Sequence, residues 1–149
     1  MLHTVWFVIF FEALFAANHM YITKTTTEKK YWFAATDDNV RIRYFGTKNS
    51  TNWFVLDNLE YNDFEVGRTD TFVHYGPPIG DLFQAAICKH SNGKSDDWYV
   101  QKVYVKVEKI SDDGQRKVIS ENTFDEKNFV LRNHCRFLHT VKNILPWFF

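Results

Sequence analysis

Residues 79–107, IGDLFQAAICKHSNGKSDDWYVQKVYVKV, constrain this chain more than any other stretch. They read as a strand, a polar turn-rich loop and a second strand whose pattern changes phase midway. Trp98 and Val100 fall on one face of the second strand, whereas Val103, Val105 and Val107 keep the period of two in the opposite phase. One extra residue in a strand rotates every later side chain to the other face, so the slip near Gln101 and Lys102 predicts a β-bulge.

The same alternation recurs along the chain. Met20 and Ile22 start a first strand; Val40, Ile42 and Tyr44 share one face of the next, with Arg41 and Arg43 on the other, the pattern of a half-buried strand. Residues 53–56, 69–73, 82–89, 98–107, 118–120 and 129–131 complete about eight short strands, with turn residues at 49–52, 76–78 and 112–114 between them. There is no internal repeat, heptad or long amphipathic helix. This spacing predicts an all-β fold, an antiparallel eight-stranded β-sandwich. At 149 residues the chain makes one domain, and 18% aromatic residues with only six glycines and three prolines favour a packed core over disorder. Formal net charge is zero and there is no basic run, which argues against a nucleic-acid partner.

Three blocks resemble one known family. Residues 79–107 look like the central segment of the PLAT domain, also called the lipoxygenase homology or LH2 domain. There a strand opening with a Leu-Gly-like pair leads through a polar loop into a Trp-aromatic-Leu/Val strand. Residues 35–46, ATDDNVRIRYFG, are similar to the family's Thr-Asp-Ala-Asn strand that ends at glycine, and residues 56–72, LDNLEYNDFEVGRTDTF, to its segment ending Gly-x-Thr-Asp-x-Phe. Order and spacing match from about residue 21 to 138. The resemblance implies a PLAT sandwich over residues 20–140, followed by an apolar tail at 141–149. It also implies that Trp98 is a packing residue and that Asp70 serves a structural hydrogen bond.

If neighbouring strands alternate up and down, the loops at 26–38, 57–67 and 90–97 meet at one end of the sandwich. They hold Asp37, Asp38, Asn58, Asp63, Asn92 and Asp96 among other oxygen-bearing side chains. Calcium takes six to eight hard oxygens in a forgiving geometry, so these six are candidate ligands. The competing reading is that Asp and Asn are common in turns because they bond the local backbone. The resemblance adds that several PLAT domains bind calcium at this end and that Asp37 stands where the family places its Thr-Asp aspartate. The chain departs from the family at His90-Ser91-Asn92-Gly93, where His-Asp-Asn-Ser-Gly is usual, and at Asp96-Asp97, where Pro-Gly is usual.

The first loop also carries Lys29, Lys30, Trp32 and Phe33. Indole rings favour the membrane interface and lysines favour anionic lipid, so this tip is a candidate lipid contact. Alternatively, Trp32 and Phe33 fold back to cap the core. Trp53 and Phe54, adjacent on a strand, are expected on opposite faces, one of them buried.

Residues 1–17, MLHTVWFVIFFEALFAA, have the pattern of a secretory signal peptide, although no Lys or Arg precedes the apolar run and Glu12 interrupts it. The run is shorter than the roughly 20 apolar residues of a membrane-spanning helix. Asn49 heads an Asn-Ser-Thr glycosylation sequon in a polar turn. Cys88 and Cys135 form an even pair in a chain expected to be extracellular, which leaves either a disulfide or two separate thiols.

No Gly-x-Ser-x-Gly elbow, His-Glu-x-x-His pair or glycine-rich phosphate loop is present, and His134, Cys135 and His139 have no fourth ligand at metal spacing. In lipoxygenases and some lipases the PLAT module accompanies a separate catalytic domain. The expectation here is therefore a secreted, non-catalytic protein that binds lipid or membrane surfaces, with calcium as its candidate cofactor. The alternative is a module that meets another extracellular protein.

Overall fold

The computed structural model describes residues 18–91, 96–124 and 128–140. Within them the chain forms nine strands and no helix. These are β1 (His19–Thr27), β2 (Asn39–Gly46), β3 (Phe54–Val55), β4 (Thr69–Gly76), β5 (Leu82–His90), β6 (Trp98–Ile110), β7 (Arg116–Phe124), β8 (Phe129–Leu131) and β9 (Cys135–His139). Two antiparallel sheets result, one ordered β4-β1-β6-β7 with β8 also paired to β6, the other β3-β2-β5-β9.

The core lies between the sheets. The row Val40, Ile42 and Tyr44 of β2 is buried, with the arginines between them half-buried on the outer side. From the other sheet it meets Tyr21, Phe72, Trp98 and Phe124. The predicted bulge is present: Thr26 pairs with Lys102 but Thr27 pairs with Val100, so Gln101 is the inserted residue. That single insertion lets Trp98, Val100, Val103 and Val105 all be buried, whereas Gln101 and Lys102 are exposed.

The strand count differs from the eight expected. The ninth strand, β9, pairs with β5 along Gln84–Cys88 and buries only Leu138, too weak a pattern to read from sequence. Strand β1 starts as expected, but its inward row is Tyr21, Thr23, Thr25 and Thr27, three of them threonines that pack as β-branched residues. One of these, Thr23, shares a 2.6 Å hydrogen bond with the buried Tyr44 hydroxyl, whose pKa burial raises far above the ordinary phenol range. Cys88 and Cys135, directly opposite in the β5–β9 pairing, are joined in a disulfide with Cα atoms 4.0 Å apart.

Alternating strand directions place the loops after β1, β3 and β5 at one end. The loops after β2, β4 and β6 lie at the other, with residues 18 and 140. Asn49 is exposed at that second end, while Thr51 of its sequon is buried and its Oγ1 accepts the Tyr44 N–H. The expected signal peptide, the tail at 141–149 and Asn92 lie outside the described residues. Among the described residues no helix is long and apolar enough to cross a membrane.

Candidate lipid-facing tip and acidic cleft

The loop from β1 to β2 is built around a buried carboxylate. Glu28 is buried, and its Oε1 accepts the N–H groups of Lys29 at 2.9 Å and Lys30 at 3.0 Å, turning the chain outward. A tight turn follows in which Ala34 N–H donates to Tyr31 O at 3.2 Å, setting Trp32 and Phe33 at its apex. The turn is pinned to β6, because Glu28 N–H donates to Tyr99 O and Tyr99 N–H to Ala34 O. Trp32 is 86% exposed and Phe33 47% exposed, so neither folds back over the core. Phe33 packs instead against Trp32, Tyr31 and Tyr99, each ring centre 5.4 Å away, and Lys30 Nζ lies 5.4 Å from the Tyr31 ring. Lys30, Trp32 and Phe33 thus stand together with Tyr31 of the same basic-aromatic run, and Tyr99 of β6 joins them as a support that the sequence did not point to.

The loop from β3 to β4 is held by two aspartates. Asp63 accepts from Asn58 twice, from the backbone N–H at 2.7 Å and from Nδ2 at 2.8 Å. Asp70 accepts the buried Phe64 N–H at 2.7 Å, at a residue whose φ of 62° no regular strand could supply. Burial raises the Asp70 pKa, and the Phe64 bond works against that rise. Its predicted structural role is what the geometry gives. Trp98, also assigned to packing, is fully buried, and its Nε1–H donates to Thr27 Oγ1 at 3.0 Å. Phe54 is buried, while Trp53 is partly exposed under the Arg41 guanidinium, 4.8 Å from its ring centre.

Between the two loops lies a cleft of about 200 Å³ bordered by Asp37, Asp38, Asp57, Asn62 and Asp63. Two of its carboxylates are already engaged, Asp63 with Asn58 and Asp38 in an ion pair with Lys89 of β5. Asp37 and Asp57 are exposed on the rim. Of the six candidate calcium ligands, the five that lie among the described residues do not all border one cleft. Asp37, Asp38 and Asp63 border this cleft and Asn58 is bonded to Asp63, but Asp96 borders a separate cleft with Trp32, Phe33, Asp97 and Tyr99. The reason is topological: Asp96 leads into β6, the neighbour of β1 in one sheet, whereas Asp37 and Asp57 flank β2 and β3 in the other. Asp97 turns toward Arg132, 3.4 Å away. Among the described residues no three His, Cys, Asp or Glu side chains are grouped closely enough to hold a metal ion. As they stand, with Asp38 held by Lys89 and Asp63 by Asn58, the described carboxylates of this cleft present no ready-made calcium set.

The family model of the PLAT/LH2 domain matches residues 21–132. The allene oxide synthase-lipoxygenase protein of Plexaura homomalla is 34% identical over 77 residues, which are 48% of this chain and 7% of that one. Among solved structures, a coral 8R-lipoxygenase described as calcium-activated through a C2-like domain superposes with a TM-score of 0.63 at 22% identity, over 81% of this chain and 17% of that one. A calcium-dependent 11R-lipoxygenase gives 0.58 at 26% identity, over 82% and 17%. The alpha toxin of Clostridium absonum gives 0.52 at 18% identity, over 79% and 31%, a likeness of fold alone. This chain therefore spans only a small part of the lipoxygenases it matches, the part that forms the sandwich. With its two sheets and the family model covering well over half of its length, the chain belongs to the PLAT/LH2 domain family.

Proposed function

We propose that this chain is a lipid-surface binding module that docks through Lys29, Lys30, Trp32 and Phe33. The observation that supports it best is Trp32, 86% exposed at the apex of a turn whose backbone is pinned at both ends, with exposed lysines beside it. Leaving an indole in water is unfavourable, whereas at a bilayer interface the ring is well placed and each lysine near anionic lipid contributes about 1 kcal/mol. The module acts without chemistry of its own and works outside the cell. The leader pattern of residues 1–17, the exposed Asn49 and the formed disulfide, a bond of oxidising compartments, support that placement. Calcium has no step in this reading.

The test is co-sedimentation of the full chain with anionic and with neutral vesicles. Binding to anionic vesicles should weaken about tenfold or more in the Trp32→Ala/Phe33→Ala double variant, a loss of about 1.4 kcal/mol or more. Unchanged binding by that variant sinks the tip as the docking element. A second reading, a protein-docking module, draws on the outer face of the β3-β2-β5-β9 sheet. There Arg43 lies 5.4 Å from the Phe45 ring centre and Phe45 6.4 Å from exposed Phe137. Absence of vesicle binding under any lipid composition would favour it.

A further inference from the structure

The acidic cleft already has a cation. Lys89 belongs to the row Ala85, Ile87, Lys89 on β5, and it pairs in register with Val40 of the buried β2 row. A lysine in such a row must find an anion, because an unpaired buried ammonium is very costly. Its side chain is wholly buried, and Nζ is ion-paired with Asp38, reaching from the core side a carboxylate that borders the cleft with Asp37, Asp57 and Asp63. We propose that Lys89 is a built-in cation that neutralises this cleft. On that basis this chain, unlike the relatives described as calcium-activated or calcium-dependent, holds its end loops in place without calcium.

The argument is one of charge and geometry. A divalent ion among these carboxylates would meet the like charge of the ammonium and would compete with Lys89 for Asp38, weakening a buried ion pair. Removing the ammonium reverses both effects. It frees Asp38 and leaves four carboxylates around one cleft without a cation, the oxygen-rich and negative surroundings that calcium favours. Lys89 thus decides whether the cleft responds to calcium. The inference rests on the Lys89–Asp38 pair and is read by melting, so it stands or falls separately from lipid binding.

Thermal unfolding of the full chain in chelator and in calcium at about 5 mM, above the range of extracellular calcium modules, tests it. The unaltered protein should melt at the same temperature in both. Lys89→Met should melt lower in chelator, and calcium should recover at least about 4 °C of that loss. Lys89→Met/Asp38→Asn, which removes both charges, should recover less. A calcium-induced rise in the unaltered protein overturns the proposal. So does a Lys89→Met variant that calcium neither stabilises nor refolds, and so does equal recovery in the double variant.

Discussion

His74 lies flat against Phe54, ring centres 4.7 Å apart, and its Nε2–H donates to Val55 O at 2.8 Å. A second proton must therefore go to Nδ1, which is buried with no partner. Burial accordingly lowers the His74 pKa from its ordinary 6.5, with the bond to Val55 opposing the shift. A histidine with a depressed pKa contributes stability that is fully present above its unfolded value and is lost as pH falls from about 6.5 through the folded value. His19, lowered by burial and then by Lys109, tilts stability the same way. The urea midpoint should therefore be lower at pH 5.5 than at pH 7.5, and His74→Gln, which cannot titrate, should shrink that difference. An undiminished difference would remove His74 from the account. At this scale the sequence was informative where a residue's role depends on its neighbours in the chain. Asp70 stands six residues from the Phe64 N–H it accepts and was readable from its motif. The partner of Asp38 was not, because Lys89 is 51 residues away and looks like an ordinary polar strand end. Its one signal is parity with Ala85 and Ile87.

Among the strands, β6 was the most legible and β9 the least. A bulge announces itself in a long strand, because both flanks carry a buried row and the rows disagree in phase. Strand β9 buries one side chain of five, so no period was there to read, and its place in the sheet is secured by its partner β5. The disulfide is the strongest tie between them and closes a loop of 47 residues, for which the chain-entropy model gives about 4 kcal/mol. Cys135→Ser should accordingly lower unfolding stability by about 2–4 kcal/mol. Amide exchange in the variant should rise first along β9 and its β5 partners. Equal protection of β9 with and without the bond would mean that Leu138 and the backbone ladder suffice. The end loops were only partly legible for a related reason. Strand alternation correctly sends three of them to one end, but which sheet each loop leaves decides which cleft its carboxylates border, and that depends on strand order, which no local pattern encodes.

Over the whole molecule the two ends differ in kind. One presents Trp32 and Phe33; the other presents Asn49 together with residues 18 and 140. Environment-sensitive dyes at Phe33→Cys and Asn49→Cys should report this polarity. The first should shift to the blue when anionic vesicles are added and the second should not respond. A response from both would mean that the sandwich lies flat on the lipid. Strand β6 runs the full height between the ends, and thirteen residues at about 3.3 Å each make that height about 40 Å. Seen this way, β6 is a ruler. In the proposed docking through the tip, anything joined to the chain at residue 18 or 140, or a sugar if one is carried on Asn49, would stand off the bilayer by a distance that one strand's length sets. Lengthening β6 and its neighbours by a residue pair would raise it by about 7 Å without touching the tip.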